Sequence, residues 1–239
     1  MDFSLVGRIV IVAGGTGGLG RSIGLAFLGE GAKVVVTYRR EDEVTALKQA
    51  AGTHSSSLVA RRVDVTNEAE TTRLIDEVLA IHGAIDVLVN AVGGYTGGVK
   101  LWEMTDEMLD QMLTLNLRSG FTLARAAMPA MLKAGRGSII NIASKAALDH
   151  GAGAAAYAAS KAAAVALMDS LAADALGTGV RVNSILPSII DTVANRKAMP
   201  NANFATWPKP DEIAKVVLFL ASDLACTIHG ASVPVYGNT

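Results

Sequence analysis

Two residues able to handle protons, Tyr157 and Lys161, lie four positions apart in the alanine-rich segment AAAYAASKAAAVALM. Alanine favours helix, and residues four apart share one helix face, so the phenol and the ammonium can reach the same ligand. Lowering the pKa of a Tyr from about 10 to about 7 requires roughly 4 kcal/mol, and a nearby ammonium acts in that direction. The pair predicts general acid–base chemistry; the alternative is a packed ring beside a solvated amine.

A glycine cluster near the N-terminus lies between an apolar run at 9–13 and a helical pattern at 19–28. Its members are Gly14, Gly15, Gly17, Gly18 and Gly20. Backbone without Cβ atoms can approach a phosphate closely at a helix N-terminus. Two spacings fit, G-x-G-x-x-G from Gly15 and G-x-x-x-G-x-G from Gly14, and the sequence does not choose between them. The strand before the cluster and the helix after it favour a dinucleotide site over a merely flexible turn.

The end of the second predicted strand indicates which dinucleotide fits. An Asp or Glu at this place would accept hydrogen bonds from the ribose 2′-hydroxyl of NAD. Here the sequence reads Thr37, Tyr38, Arg39 and Arg40. Because two guanidinium groups would meet a 2′-phosphate with charge-assisted donors, we expect NADP(H) in preference to NAD(H). The alternative is that both arginines pair with the acidic residues that follow, Glu41, Asp42 and Glu43.

Seven apolar runs alternate with helical segments and predict the scaffold that positions these groups. The predicted strands are 9–13, 33–38, 58–63, 85–90, 138–143, 180–186 and 231–236, with 33–38 and 58–63 buried on two faces. The predicted helices are 19–28, 67–82, 105–132, 153–176 and 210–222, and Pro129 should end or kink the third. This order predicts an α/β chain, 1–239, forming one three-layer, doubly wound Rossmann fold with a seven-stranded parallel sheet and a crevice at the carboxyl ends of the strands.

Composition and charge argue against several other classes of protein. The formal net charge of the 239 residues is -1, and no long run of Lys or Arg offers a footprint for nucleic acid. One Cys and four His without ligand spacing predict neither an internal disulfide nor a structural metal. No apolar stretch approaches the roughly 18 residues that span a bilayer, and the N-terminus lacks a signal-peptide pattern. We expect a cytoplasmic protein with no nucleic-acid or membrane partner.

With the glycine turn and the Tyr157/Lys161 pair, the sequence resembles the short-chain dehydrogenase/reductase family along nearly its whole length. Ser144 in INIAS and Asn116 in LTLNLRSGF match the two remaining positions of that family's catalytic set. The resemblance implies that Tyr157 donates a proton to a carbonyl oxygen and that Ser144 hydrogen-bonds this oxygen. It also implies that Lys161 binds the nicotinamide ribose and lowers the Tyr pKa, and that Asn116 holds a water in a proton relay.

The resemblance further implies a cofactor site built from several strand ends. Asp64 would lie beside the adenine, Asn90 beside the adenosine ribose and Thr192 near the nicotinamide carboxamide. The expected cofactor contacts are Gly14, Gly15, Thr16, Gly17, Gly18, Leu19, Gly20, Tyr38, Arg39, Arg40, Asp64, Val65, Asn90, Ala91, Val92, Gly93, Tyr157, Lys161, Pro187, Ser188, Ile190 and Thr192.

Three departures from the family pattern touch the cofactor loops. Ala13 stands where the family has Thr, Ala91 and Val92 replace an Asn-Ala pair, and Ser188 replaces a Gly. From these we expect weaker or more mobile cofactor binding without loss of catalysis.

The long connection 192–210 is a candidate flap over the substrate, or else a plain surface excursion. Expected substrate contacts are Tyr95, Lys145, His150 and Trp207, with Gly93, Gly94, Leu148 and Gly151 bordering the pocket. This connection is long for a loop but short for a substrate flap, and with the apolar Gly/Ala stretch before Tyr157 it predicts a modest-sized substrate without a charged carrier clamp. Helices 105–132 and 153–176 are apolar on more than one face, which with the resemblance predicts a homotetramer.

The leading hypothesis is reversible hydride transfer between NADP(H) and a carbonyl or secondary alcohol. The first alternative is a non-catalytic, NADP(H)-binding regulatory protein on the same fold, because fold does not determine function. A nicotinamide-using epimerase or dehydratase is a third possibility, but it would ordinarily need a larger substrate domain.

Overall fold

The computed structural model describes residues 3–239 and contains one seven-stranded sheet between two layers of helices. Every neighbouring pair of strands is parallel, and the order across the sheet is β3-β2-β1-β4-β5-β6-β7. The strands are β1 (Ile9–Ala13), β2 (Lys33–Tyr38), β3 (Leu58–Arg62), β4 (Val87–Asn90), β5 (Gly137–Ile142), β6 (Val180–Pro187) and β7 (Ser232–Val235). The predicted three-layer Rossmann architecture is confirmed.

Eight α-helices within residues 3–239 cover the two faces of the sheet. They are α1 (Gly18–Gly29), α2 (Glu41–Ala51), α3 (Glu68–His82), α4 (Asp106–Leu113), α5 (Ser119–Ala134), α6 (Ala155–Asp174), α7 (Val193–Ala198) and α8 (Pro210–Ala221). None of the helices in this part of the chain is long and apolar enough to cross a bilayer.

Strand β1 shows why the sheet is buried on both faces. All five of its residues are buried, and successive side chains point to opposite faces. Val10 and Val12 join the core beneath α1 and α8, whereas Ile9 and Ile11 join the core beneath α3, α5 and α6. The chain runs outward from β1 on one side and from β4 on the other. The crevice between these strands is the topological switch point at which such sheets bind ligands.

The predicted helix 105–132 is two helices joined by a π-helical turn at Thr114–Arg118. The sequence predicted that Pro129 ends or kinks this helix; it does not end it, because α5 continues to Ala134. Met128 and Met131, on either side of Pro129, are buried in the core, so this part of α5 packs on the sheet although Pro129 lacks an amide donor.

Two further differences concern β3 and α2. The prediction that β3 is buried on both faces is wrong, since it is the edge strand and Val59, Ala60 and Arg61 are only half buried. Helix α2, absent from the predicted helices, buries Val44, Leu47 and Ala51 on one face. Three apolar positions in a charged segment are a weak periodic signal.

Candidate active site

Helix α6 and the end of β5 bring three proton-handling side chains together. Tyr157 and Lys161 lie in the first half of α6, and Lys161 is 5% exposed. Its Nζ donates a 2.9 Å hydrogen bond to the carbonyl oxygen of Ile142, the last residue of β5. Ser144, two residues further on, is hydrogen-bonded to the Tyr157 phenol, and its Oγ accepts from the amide of Ala146 at 3.1 Å. The predicted grouping of Ser144, Tyr157 and Lys161 is present in the structure.

Asn116 enters the same site from the π-helical turn. Its Oδ1 accepts from the amide of Gly94 at 3.0 Å, and its Nδ2 donates to the Gly94 oxygen at 3.1 Å and to Ser160 Oγ at 3.0 Å. A Cβ on Gly93 would lie 3.0 Å from both Asn116 Oδ1 and Lys161 Nζ. Asn116 therefore clamps the loop after β4 against α6. Both of its side-chain N–H donors are used within the protein, which leaves only Oδ1 able to accept from a water.

Burial shifts the pKa values of the two central groups in directions that matter for the chemistry. Burial lowers the pKa of Lys161 from 10.5 to about 8. Burial raises the pKa of Tyr157, the Ser144 hydrogen bond lowers it, and Tyr95 raises it. The net shift of the Tyr157 pKa is upward, opposite to our expectation from sequence, because the Lys161 ammonium donates to Ile142 while the phenol is largely desolvated.

The glycine turn has constraints that distinguish between the two possible spacings. Gly14 has φ +73°, and a Cβ on Gly20 would lie 2.1 Å from the Gly14 oxygen. A Cβ on Gly18 would lie 3.1 Å from Thr192 Cγ2, whereas Gly17 would meet its nearest atom at an ordinary 3.4 Å. The spacing that begins at Gly14 is therefore the constrained one, and Gly15 is additionally tight against Val36.

The first turn of α1 leaves room for an anion. Within residues 3–239, no side chain caps Gly17 at the start of α1. Amides at an uncapped helix N-terminus point outward and favour negative charge. The turn thus fits the pyrophosphate of a dinucleotide.

A cleft of about 430 Å³ extends from the glycine turn to the end of β2 and the loop after β4. It gathers many of the predicted cofactor residues with others that the sequence did not single out. Its walls are formed by Gly14, Thr16, Gly17, Thr37, Tyr38, Arg39, Arg40, Glu43, Val63, Asp64, Val65, Thr66, Ala91, Val92, Gly93 and Leu115. The predicted contacts that are not among these wall residues are Gly15, Gly18, Leu19, Gly20, Asn90, Tyr157, Lys161, Pro187, Ser188, Ile190 and Thr192. Thr192 lies close to Gly18 in the glycine turn.

Asn90 supports the cleft from beneath. It is buried, donates to Ser119 Oγ at 3.3 Å and Asn141 Oδ1 at 3.0 Å, and accepts from the amide of Val92 at 3.2 Å. Its side chain fixes the loop that begins at Ala91.

Each of the three departures from the family pattern has a hydrogen bond nearby. Beside Ala13, the Gly14 amide donates to Thr37 Oγ1 at 2.9 Å. The Ala91 amide donates to the Ala13 oxygen at 3.0 Å. Ser188 Oγ donates to the Tyr236 oxygen at 2.7 Å. The sequence did not predict that Thr37 binds the Gly14 amide, because Gly14 follows β1 whereas Thr37 lies in β2.

The two arginines after β2 behave differently. Arg40 pairs with Asp42 at 2.6 Å and approaches Glu43 at 3.8 Å, as the pairing alternative predicted. Arg39 forms no ion pair with any residue between 3 and 239. Its charge acts only at longer range: hydrogen bonds from Thr66, and to a lesser extent the charge of Arg39, lower the pKa of Asp64. The end of β2 therefore presents one paired and one unpaired guanidinium to the cleft.

The four expected substrate residues have distinct surroundings. Tyr95 is 63% exposed, and its ring lies edge-on to Tyr157 with centroids 5.0 Å apart. Lys145 lies 3.8 Å from Asp149 and 5.2 Å from the centre of the Tyr236 ring. His150 lies 3.3 Å from the Ala147 oxygen, and Trp207 is 6% exposed and packs on Phe204. Of these four, Tyr95 has a direct contact with the candidate catalytic group.

Comparison with known proteins agrees with this geometry. The family model described as short chain dehydrogenase matches residues 8–203. D-threitol dehydrogenase of Mycolicibacterium smegmatis is 34% identical over 252 residues, covering 99% of this chain and 94% of the relative. The 3-oxoacyl-(acyl-carrier-protein) reductase of Escherichia coli is 34% identical over 240 residues, 97% of each chain. A short-chain type dehydrogenase/reductase structure from Mycobacterium ulcerans superposes with a TM-score of 0.92 at 27% identity, covering 98% of this chain and 90% of that one. The chain belongs to the short-chain dehydrogenase family and is an oxidoreductase.

Proposed function

We propose that this oxidoreductase transfers hydride between NADP(H), preferred over NAD(H), and a carbonyl or secondary alcohol, with Tyr157 as the acid and base. The observation that carries the proposal is the grouping of the Tyr157 phenol, the Ser144 hydroxyl and the Lys161 ammonium at the carboxyl edge of the sheet, the same edge at which the uncapped glycine turn lies.

The residues of the cleft can hold a nicotinamide dinucleotide. The glycine turn and the first amides of α1 would hold the pyrophosphate, and unpaired Arg39 would hold a 2′-phosphate. The wall residue Asp64 and the loop from Ala91 to Gly93 would line the adenosine side. When bound, the nicotinamide supplies or accepts the hydride.

The chain's own residues would handle the proton at Tyr157 Oη. Ser144 and Tyr157 can both donate to one carbonyl oxygen, which fixes its position and gives it a proton in reduction. Burial makes any charge on Lys161 act strongly, because few waters screen it. The ammonium would therefore stabilise the phenolate that remains after proton donation, an effect that opposes the desolvation of Tyr157.

The arrangement argues against a non-catalytic regulatory protein. Burying Lys161 beside a desolvated phenol is costly, and holding a dinucleotide does not require a hydroxyl and a phenol directed at one point. Two of the relatives are named as a threitol dehydrogenase and a 3-oxoacyl reductase. Both names describe carbonyl or secondary-alcohol chemistry, but on different substrates.

Two further features of the expected enzyme remain proposals. The connection 192–210 would act as the substrate flap, with α7 and the packed Phe204 and Trp207 as its body.

An apolar groove of about 340 Å³, lined by residues that include Leu113, Leu117, Phe121 and Leu167, would be covered by another subunit of a tetramer. Light scattering at micromolar protein concentration measures the oligomeric state, and a molar mass equal to that of one chain would contradict the tetramer.

The decisive experiment measures NADPH consumption over a panel of aldehydes and ketones with Tyr157→Phe and Tyr95→Phe as a matched pair. Tyr157→Phe should lower kcat/KM by about 100-fold or more while leaving NADPH binding unchanged, since only proton transfer is removed. Tyr95→Phe keeps the neighbouring ring and should retain proton transfer. Substantial turnover by Tyr157→Phe on the best substrate would refute the proposed role.

A further inference from the structure

One carboxylate in the wall of the cofactor cleft, that of Glu43, is engaged with groups from two different elements. Glu43 lies in the first turn of α2. Its Oε2 accepts a 2.7 Å hydrogen bond from Thr16 Oγ1 in the glycine turn, and its Oε1 lies 3.8 Å from Arg40 Nε. The same side chain thus joins the glycine turn to the end of β2.

Both groups held by Glu43 are ones that a phosphate would use. The Thr16 hydroxyl has one proton to donate, and Glu43 already accepts it. The Arg40 guanidinium is shared between Asp42 and Glu43. Arg39 is the cation in this wall that forms no ion pair among residues 3–239. At this part of the wall a 2′-phosphate would therefore meet the unpaired cation Arg39, the engaged cation Arg40 and the carboxylate of Glu43, with the Asp64 carboxylate also in the wall.

We propose that Glu43 sets the limit on this protein's preference for NADP(H) over NAD(H). The inference rests on the proposed function, because it concerns the same dinucleotide site. Glu43 disfavours a phosphate by like charge and by withholding the Thr16 hydroxyl and Arg40. It does not disfavour a 2′-hydroxyl, from which carboxylates commonly accept a hydrogen bond in Rossmann folds. Glu43 and Arg39 therefore act in opposite directions on cofactor choice.

Asp42 provides a matched control in the same helical turn. It is the closer partner of Arg40, at 2.6 Å, but it is exposed and is not part of the cleft wall. Asp42→Asn and Glu43→Gln remove the same charge, and both release Arg40 from one carboxylate. Only Glu43→Gln removes a charge from the cleft itself and frees the Thr16 hydroxyl from an anion.

The test is a fluorescence titration of NADPH and NADH against the wild-type protein, Glu43→Gln and Asp42→Asn. Glu43→Gln should tighten NADPH binding about fivefold relative to NADH, and Asp42→Asn should change this ratio by less than about twofold. The gain in Glu43→Gln should shrink between low and high NaCl, since partly exposed charges are screened. A Thr16→Ala substitution added to Glu43→Gln should remove part of the gain.

Two results would overturn the inference: an unchanged ratio in a folded Glu43→Gln protein, or an equal shift in Asp42→Asn. Thermal unfolding of each variant checks that it is folded. If neither dinucleotide bound the wild-type protein, the proposed function would fail together with the inference. A wild-type protein that binds both cofactors while Glu43→Gln leaves their ratio unchanged would refute the inference alone.

Discussion

The two ends of the crevice are built in different ways. At the catalytic end, Lys161 and Asn116 are buried and each is held by hydrogen bonds to backbone groups of other elements. At the far end, where β2 ends, Arg40 and Asp42 are 69% and 66% exposed, and they form an ion pair two residues apart in the chain. One end is fixed by the interior of the fold and the other by side chains in solvent.

This difference predicts how substitutions at each end affect the stability and the function of the protein. Exposed ion pairs contribute little and rearrange at low cost, whereas an unpaired buried polar group costs on the order of 1–3 kcal/mol. Substitutions at the catalytic end should therefore change stability and chemistry together. Substitutions at the far end should change cofactor choice and leave the fold intact.

The largest expected effect concerns the pH dependence of stability at Lys161. Its pKa is about 8 in the folded protein and 10.5 in an unfolded chain, so the unfolded state binds more protons between these values. The cost of burying Lys161 is thus fully present below pH 8 and falls as pH rises towards 10.5. The free energy of unfolding of wild type minus that of Lys161→Met should increase across this window, by on the order of 3 kcal/mol in full. Denaturant titrations at several pH values measure it; parallel curves for the two proteins would contradict it.

The next effect concerns Asn116. Asn116→Ala leaves both backbone groups of Gly94 without this partner and removes the donor to Ser160 Oγ, so we expect a loss of about 2 kcal/mol of stability and a lower kcat. Asn116→Asp keeps the acceptor for the Gly94 amide but loses both donors. If the two variants unfolded at the same temperature as wild type, the clamp on the loop after β4 would have no energetic weight.

A smaller effect is expected for Arg39. Arg39→Ala removes the unpaired cation of the cleft and should weaken NADPH binding about tenfold while changing NADH binding little. Unfolding temperature should stay at the wild-type value. Equal weakening of both dinucleotides would show that Arg39 does not respond to a 2′-phosphate.

The smallest effect is expected for Arg40. Because its guanidinium is already shared with Asp42 and Glu43, Arg40→Ala should weaken NADPH binding less than about threefold. A larger loss for Arg40→Ala than for Arg39→Ala would mean that Arg40, and not Arg39, is the main cation facing the 2′-phosphate.

Much of the fold followed from the sequence because buried parallel strands are near-continuous apolar runs, as in β1 and β2. The catalytic pair was predictable as well, because Tyr157 and Lys161 are close in sequence on one helix. The link to Ser144 and Asn116 came from the family resemblance, since no local pattern connects β5 or the π-helical turn to α6.

What the sequence could not predict were contacts made across strand connections. Thr37 supports the Gly14 amide, and Glu43 accepts from Thr16, but neither residue is near its partner in sequence. The direction of the Tyr157 pKa shift was wrong for a related reason. Spacing predicts that an ammonium is nearby, but it predicts neither how far the phenol is desolvated nor which group the ammonium bonds.

The π-helical turn at Thr114–Arg118 holds one residue more than an α-helical turn, because its hydrogen bonds run from i to i+5. The extra residue is thus taken up within the turn. Deleting one residue here should close the turn to ordinary α-helix and displace Asn116, while Phe121 in the apolar groove keeps its orientation relative to α4. A change of length in this turn would therefore alter the geometry of the active site and leave that of the groove in place.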